Sequence, residues 1–284
     1  GMETVNRAAM VRLSGTSPCV PASCLRHSSR RLKFRGMPAV DTERRDAAGA
    51  AAGGAAKRRY VRRMVSEIAP RYDLLNHVLS LNIDRGWRRH AIDVLGWERR
   101  PAGTYLDICA GTLDVSVELA KRPGFQGTVI AADFAEPMLR AGRVKAVGAA
   151  VRPVVADALQ LPFADGAADG ALVAFGVRNF EDLPRGIAGM ARVLRPGGRL
   201  FVLEFSRPQR TPFKQLFRFY FHRVMPIIGR LVSKDSAAYS YLPESVDAFP
   251  QGAAFEDILR QQGLREVRST LLTFGVATLY TARK

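Results

Sequence analysis

A glycine and two aspartates each follow a short apolar run that could be a strand. If these strands are parallel, the three residues meet at one edge of the sheet. Gly111 follows an apolar run, Asp133 comes 22 residues later, and Asp157 follows a third apolar run. A glycine lets a ligand approach the backbone closely. The carboxylate of Asp133 can accept hydrogen bonds from both hydroxyls of a ribose, and Asp157 beside the small Ala158 suits an adenine amino group.

The turn AGTLDV, residues 110–115, does not favour a pyrophosphate. A dinucleotide site needs G-x-G-x-x-G, whereas this turn has only Gly111, and Asp114 at the predicted helix start would repel phosphate. A cofactor with a ribose, an adenine and a cationic or zwitterionic tail fits better, and S-adenosylmethionine is such a molecule. Each carboxylate alone could be only a helix cap or turn residue. Their common edge favours one shared ligand.

Strand and helix patterns alternate around these residues, which predicts a parallel sheet covered on both faces, with the ligand above the carboxyl ends of the strands. The predicted strands are Thr104–Cys109, Thr128–Asp133, Arg152–Ala156, Gly170–Phe175 and Arg199–Phe205, and the predicted helices are Leu113–Lys121, Glu136–Val147 and Leu183–Leu194. A last helix, Phe255–Gln262, precedes two strands, Arg265–Thr273 and Ala277–Ala282, which we expect to form an antiparallel edge.

Two segments outside this alternation are predicted to be helical. Residues 58–96 read as two or three amphipathic helices with breaks at Pro70 and near Asn82–Gly86. An insertion at about residues 208–250 carries apolar residues at helical spacing with cations between them, and Pro226 should break or kink its helix. That pattern fits an ordinary core face, and it fits equally a lid that receives an apolar tail and rests on anionic lipid.

The first 56 residues are predicted to be a disordered basic extension, since they are rich in Ala, Gly, Ser and Arg. Before Asp41 the only acid is Glu3, a composition that resembles an organellar transit peptide. The alternatives are an unstructured bacterial extension or a start at Met37. We therefore expect the folded domain to be residues 57–284.

Charge and composition narrow the function classes. The net charge is +17, and residues 1–59 hold 12 Lys and Arg against 4 Asp and Glu, so nearly half of the excess lies in the extension. No zinc-finger, helix-turn-helix or aromatic RNA-binding pattern accompanies it, and we expect no nucleic-acid partner. The cysteines Cys19, Cys24 and Cys109 form no CxxC pair, so we expect neither a disulfide nor a metal. No apolar run is long enough to span a bilayer.

Four further stretches carry a resemblance to a known family. They are IAPRYDLLNHVLSLNIDRGWRR (residues 68–89), FGVRN (175–179), VLRPGGRLFVLEFSRP (193–208) and YSYLPESVDAFP (239–250). With the turn, they resemble the UbiE/MenG quinone-ring C-methyltransferases over residues 58–283. The resemblance implies a Rossmann-like α/β class I methyltransferase: a mostly parallel seven-stranded sheet, an antiparallel C-terminal edge and an N-terminal helical arm.

The resemblance also implies which residues form the site. Thr112, Asp133, Asp157 and Ala158 would contact S-adenosylmethionine, Asp107 and Gly111 would shape the turn, and Arg178 and Asn179 would face the substrate as the catalytic pair. The chain departs from the family at two cofactor positions: Leu113 replaces a second glycine, and Ala174 replaces a serine. We expect the Leu113 side chain to turn into the core while its backbone N–H stays available to the cofactor.

The implied reaction is S-adenosylmethionine-dependent methylation of a prenylated quinol ring carbon, first of all demethylmenaquinol, with a benzoquinol precursor of ubiquinone as the alternative. Another small-molecule methyltransferase, or an inactive scaffold of this fold, are further alternatives. His222, Tyr239 and Tyr241 are secondary site candidates, while Asp73 and His77 fit capping or surface roles equally.

We expect a cytoplasmic enzyme that is peripheral to the inner face of the membrane, or an organellar enzyme if the extension is a transit peptide. We expect it to act as a homodimer or in a quinone-biosynthesis complex.

Overall fold

The computed structural model describes residues 54–73, 80, 82–224 and 237–284. The strands are β1 (Thr104–Ile108), β2 (Thr128–Asp133), β3 (Val151–Val155), β4 (Ala168–Ala174), β5 (Leu194–Phe205), β6 (Arg265–Leu272) and β7 (Ala277–Arg283). The helices are α1 (Gly54–Ile68), α2 (Ile83–Leu95), α3 (Asp114–Ala120), α4 (Glu136–Gly142), α5 (Leu183–Val193), α6 (Phe213–Phe219), α7 (Ala237–Ala248) and α8 (Ala253–Gln261).

The seven strands form one sheet in the order β3-β2-β1-β4-β5-β7-β6. The first five pair in parallel, and β7 pairs antiparallel with both β5 and β6. The predicted fold class, with its antiparallel C-terminal edge, is confirmed. The chain order reverses between β1 and β4, and in open α/β sheets that reversal opens a crevice at the carboxyl ends of the strands.

Each face of the sheet is covered by helices, as a parallel sheet requires. On one face α5 and α8 bury Ile187, Met190 and Phe255 against β4 and β5. On the other, α2 and α3 bury Trp87 and Leu119 against the same strands and β1. Because both faces are buried, the central strands read as continuous apolar runs, which is why they were predictable.

Three element boundaries differ from the prediction by more than two residues. Helix α4 ends at Gly142, five residues before Val147. Strand β5 begins at Leu194, directly after α5, and continues through the RPGG turn because Leu194 pairs with Ala168 across a bulge. Helix α2 runs through Gly86, so only the break at Asn82, which has a left-handed φ of 60°, is real.

The helical segments flank the crevice. Helix α1 ends at a 3₁₀ turn that contains Pro70, as predicted. The insertion contains α6, a π-helical turn over Tyr220–Val224, and α7. The predictions for residues 1–53, for His77 and for Pro226 lie outside the described residues. In the parts of the chain that the structure describes, no helix is both long and apolar enough to cross a membrane.

Candidate active site

A cleft lies at the carboxyl ends of β1, β2 and β4, at the reversal of strand order. Six of the predicted site residues line it: Gly111, Asp133, Asp157, Ala158, Ala174 and Asn179. The other three, Asp107, Thr112 and Arg178, lie behind its walls. The sequence therefore located the cleft, although it did not separate the residues that line it from those that support it.

The turn after β1 is held in an uncommon backbone conformation. Cys109, Gly111 and Leu113 have φ angles of 59°, 53° and 68°. These angles lie in the left-handed region, which residues other than glycine rarely adopt. Phe175, which ends β4 beside this turn, has a φ of 59°. Such residues cluster at ligand sites, where the surrounding packing holds them in place.

Asp133 ties the first two strand ends together. Its Oδ2 accepts from the Gly111 N–H at 2.9 Å, and its Oδ1 accepts from the Ala135 N–H at 2.8 Å. Burial raises the pKa of this carboxyl, and the hydrogen bonds from backbone N–H groups oppose that rise. Each oxygen still has acceptor capacity towards the cleft, so a fixed carboxylate faces any ligand there.

Leu113 fills the core behind the turn. Its side chain is fully buried with Ala110, Ala131 and Leu139, as expected. The expectation for its backbone was wrong, because the Leu113 N–H donates to the Ala110 carbonyl at 2.9 Å and closes the turn. Helix α4 approaches so closely here that a Cβ at Gly142 would lie 2.5 Å from the Thr112 carbonyl oxygen.

Thr112 and Asp107 support the turn from behind. Thr112 Oγ1 donates to Asp73 Oδ1 at 2.5 Å, which ties the turn to the helical arm. Asp107 is buried and its Oδ2 accepts from the Ser116 hydroxyl at 2.6 Å. Burial raises the pKa of Asp107 to about 7, against the opposing effect of that hydrogen bond. Both residues fit a role in shaping the turn, which for Thr112 differs from the cofactor contact that the resemblance implies.

Lysine 145 links the same turn to the arm by charge. Lys145 Nζ lies 2.6 Å from Asp114 Oδ1 and 2.5 Å from Asp73 Oδ2. Arg88 of α2 pairs with Asp114 as well, at 2.7 Å. Asp114 is therefore neutralised by two cations rather than presented to the cofactor.

Helix α1 closes one side of the cleft. Val61 and Val65 line the cleft, and Arg58 forms an ion pair with Asp157. Further along, the Tyr60 ring packs against the Tyr241 ring of α7 with centroids 5.4 Å apart. The arm and the insertion thus meet beside Asn179, which lines the cleft and accepts from the Tyr241 hydroxyl.

Asn179 and Arg178, the predicted catalytic pair, point in different directions. Asn179 lines the cleft, and its Oδ1 accepts from the Tyr241 hydroxyl at 3.1 Å. The Arg178 guanidinium instead lies 2.7 Å from Glu204 Oε1 and donates to the Phe175 carbonyl at 2.5 Å. The catalytic role of Arg178 stays a prediction; its geometry is that of a group held within the protein.

The sequence did not single out the α1 residues at the cleft. Arg58 follows an Ala- and Gly-rich stretch, so no local pattern marked it. Among the secondary candidates, Tyr241 contacts the site through Asn179, whereas the side chains of His222 and Tyr239 lie outside the described residues. No cluster of metal-ligating side chains occurs in the described parts of the chain.

The lining fits an adenosyl cofactor with a cationic centre. Asp133, Asp157 and Glu181 contribute carboxylates, and Arg58 is the cation that faces them in this lining. Gly111 leaves the backbone open to close approach. Such a net acidic cleft disfavours a pyrophosphate and favours a sulfonium.

Comparison with known proteins agrees with this chemistry. The model of the ubiE/COQ5 methyltransferase family matches residues 54–284. A demethylmenaquinone methyltransferase of Thermus thermophilus is 50% identical over 220 residues, covering 76% of this chain and 98% of that protein. The ubiquinone/menaquinone biosynthesis C-methyltransferase UbiE of Geobacter sulfurreducens is 41% identical over 228 residues, covering 79% of this chain and 88% of that protein.

Solved structures show the same fold at low sequence identity. A putative methyltransferase from Haloferax volcanii, solved with its activator Trm112, has a TM-score of 0.55 at 15% identity, covering 77% of this chain and 96% of that one. A methyltransferase from Thermotoga maritima has a TM-score of 0.51 at 17% identity, covering 78% and 97%.

Proposed function

The chain belongs to the ubiE/COQ5 methyltransferase family, and we propose that it methylates a ring carbon of a prenylated quinol, with demethylmenaquinol as its main substrate. Its cofactor is S-adenosylmethionine. One observation carries the choice of substrate: the demethylmenaquinone methyltransferase of Thermus thermophilus is 50% identical and is covered over 98% of its length. A benzoquinol precursor of ubiquinone is the alternative substrate, since a 41% identical relative is named for both pathways.

We propose that Asp133 and Asp157 hold the adenosine part of the cofactor. The Asp133 carboxylate is fixed by two backbone N–H groups, so it can accept from the ribose hydroxyls without losing side-chain entropy. Asp157 is paired with Arg58 on α1, a cation that can lie over the bound nucleoside. Bound S-adenosylmethionine supplies an electrophilic methyl group on a sulfonium.

The substrate would enter at the end of the cleft where α1 and α7 meet. Asn179 and Tyr241 are joined by a hydrogen bond there and can orient a ring hydroxyl. Val61 of α1, which packs with Tyr241, can exclude water from the same space. The reaction requires two things of the protein: it must align the ring carbon with the methyl group, and it must help to remove the hydroxyl proton.

Substrate choice is tested by measuring kcat/KM for demethylmenaquinol and for the benzoquinol precursor with the same prenyl tail. We expect the naphthoquinol to be preferred. A preference for the benzoquinol would overturn the proposed main substrate while leaving the reaction class intact.

We further propose that the enzyme acts in the cytoplasm at the surface of an anionic membrane, where a prenylated quinol resides. An exposed apolar stripe supports this: Leu216 and Phe219 of α6 are 64% and 60% exposed. Phe213 of the same helix stacks on Phe274, which is itself 67% exposed, with ring centroids 3.9 Å apart. The exposed cations Lys214 and Arg218 flank the stripe, and basic residues beside apolar ones suit an anionic bilayer surface.

Sedimentation with vesicles tests this surface. We expect the protein to bind vesicles that contain anionic lipid and to lose that binding when Leu216 and Phe219 are replaced by serine. Val144→Ser is a matched control, because Val144 is 81% exposed but lies outside the stripe. Equal binding to neutral vesicles, or no change in the double variant, would contradict the proposal.

A further inference from the structure

Glu181 lines the cleft from the loop that joins the Val177–Asn179 turn to α5. Its Oε2 atom is buried and, among the described residues, has neither a hydrogen bond nor an ion pair. A buried polar atom without a partner destabilises the unliganded protein, and at a ligand site a donor of the ligand can satisfy it. Glu181 is therefore a candidate contact for a bound molecule.

The other two carboxylates of the lining are already held by the protein. Both oxygens of Asp133 accept from backbone N–H groups. Asp157 Oδ1 accepts from the Leu159 N–H at 2.9 Å, and Asp157 Oδ2 forms the ion pair with Arg58. Among the described residues of this lining, Glu181 is thus the carboxylate that keeps an oxygen without a protein partner.

The loop that carries Glu181 packs beside the loop that carries Asp157. A Cβ at Gly186 of α5 would lie 2.4 Å from the Phe180 ring and 3.3 Å from the Leu159 side chain, so these two side chains meet at one point of α5. The Phe180 backbone is extended, with φ −66° and ψ 137°. Successive side chains of extended backbone point in opposite directions. While Phe180 packs against α5, Glu181 points away from that helix, beside the wall of the cleft that Asp157 forms.

The wall at Asp157 is the proposed place of the adenine. The exocyclic amino group of adenine carries two N–H donors. Asp157 can accept from one of them, although its oxygens also serve Leu159 and Arg58. The second N–H needs another acceptor, and an ionised carboxylate is acceptor-only. The unpaired Oε2 of Glu181 matches that donor in chemistry.

We propose that Glu181 determines specificity for the adenine of S-adenosylmethionine: its Oε2 accepts a hydrogen bond from the exocyclic amino group. The inference rests on the proposed placement of the adenosine at Asp133 and Asp157. A purine with a carbonyl in place of the amino group would set an acceptor against the Glu181 carboxylate and leave both unsatisfied. A site that hydrogen-bonds a ligand group discriminates strongly against an analogue that lacks this group.

Glu181→Gln tests the proposal when the affinities of two cofactor analogues are compared. The analogues are S-adenosylhomocysteine and S-inosylhomocysteine, in which a carbonyl oxygen replaces the adenine amino group. Calorimetric titration gives the Kd of each. We expect wild type to bind the adenosyl compound at least roughly 100-fold more tightly.

In Glu181→Gln this preference should fall by roughly 10-fold or more, because the glutamine amide carries no charge and can donate to the carbonyl of the inosyl compound. Glu136→Gln is the matched control, since it makes the same substitution in an ion pair outside the cleft lining. It should keep the wild-type preference. The unliganded Glu181→Gln protein should resist urea at least as well as wild type, because the substitution removes no partner of Oε2 among the described residues.

Four outcomes would overturn the assignment. They are an unchanged preference in Glu181→Gln, a wild type that binds both analogues equally, a changed KM for the quinol with unchanged affinity for both analogues, and a loss of stability in unliganded Glu181→Gln. The third would place Glu181 against the substrate, and the fourth would show a structural role. If Asp133→Asn leaves S-adenosylhomocysteine affinity unchanged, the placement of the adenosine fails. If Asp133→Asn weakens binding while Glu181→Gln keeps the wild-type preference, the role of Glu181 alone fails.

Discussion

Arg178 and Glu204 form an ion pair beside the cleft residue Asn179, with Arg178 Nη1 2.7 Å from Glu204 Oε1. Glu204 is fully buried, and its carboxylate also accepts from the backbone N–H groups of Arg178 and Phe205. The pair therefore fixes the turn that carries Asn179. The Arg178 guanidinium is thus held by the protein, and its role towards the substrate stays a prediction.

Loss of one partner should cost more than loss of both charges. We expect Arg178→Met to lower the free energy of unfolding by about 3–5 kcal/mol, because it leaves the Glu204 carboxylate buried without its cation. The double variant Arg178→Met/Glu204→Gln should recover most of this loss, since glutamine is neutral and still accepts from Phe205. Urea denaturation measures both. A double variant as unstable as the single one would contradict the ion-pair account, and a stable double variant without activity would support a role for Arg178 towards the substrate.

The carboxylate of Asp133 should determine cofactor affinity. Asp133→Asn removes the charge from the acceptor of the ribose hydroxyls, and hydrogen bonds to charged groups contribute about 1.5–3 kcal/mol. We expect the Kd for S-adenosylhomocysteine to rise between roughly 10- and 100-fold. Calorimetric titration measures this. Glu136→Gln is the control, because Glu136 pairs with Arg140 on the surface of α4; an unchanged Kd in Asp133→Asn would exclude Asp133 from the site.

Leu113 combines a strained backbone with a fully buried side chain, and the two effects can be separated. We expect Leu113→Ala to lower the free energy of unfolding by about 2–5 kcal/mol through the cavity that it leaves. Leu113→Gly should be the more stable of the two variants by roughly 1 kcal/mol, because glycine adopts a φ near 68° without strain. Denaturant unfolding of both variants measures the difference. A glycine variant less stable than the alanine variant would show that the left-handed backbone at this position is not strained.

Stability should depend on pH through Asp107. Burial raises the pKa of Asp107 to about 7, whereas the pKa of an aspartate in the unfolded chain is about 3.9. The neutral carboxyl therefore contributes its full stability below about pH 3.9. This contribution is lost as the pH rises through about 7. Asp107→Asn stays neutral and can still accept from Ser116. Relative to wild type, the variant should therefore gain roughly 3 kcal/mol between about pH 5 and pH 8. Thermal or urea unfolding across that range measures the difference, and a constant difference would mean that Asp107 is not buried as a neutral acid.

The fold could be predicted largely from the sequence because its central strands are buried on both faces. Apolar runs such as that around Leu172, and the Pro/Gly turns between elements, identified the strands and their order along the chain. The start of β5 was predicted wrongly because of the RPGG segment. Glycines usually end an element, but here they lie within a strand that starts with a bulge. Pairing between Leu194 and Ala168 is a long-range effect that no local pattern reports.

The site could be predicted only in part. The residues at strand ends, Gly111, Asp133 and Asp157, share one edge because parallel strands end together, so spacing was sufficient to find them. The directions of side chains were not predictable: Arg178 and Asn179 are adjacent in sequence, yet one pairs with Glu204 and the other lines the cleft. Arg58 was missed because its position at the cleft depends entirely on where α1 packs.

The most direct test of the account is the fate of the methyl group. The protein is incubated with S-adenosylmethionine labelled in the methyl group and with chemically reduced demethylmenaquinone, and the product is identified by mass spectrometry and NMR. We predict menaquinol with the label on the ring carbon, together with an equal amount of S-adenosylhomocysteine. No transfer to the quinol, or a label on a ring oxygen, would contradict the assignment as a quinol C-methyltransferase.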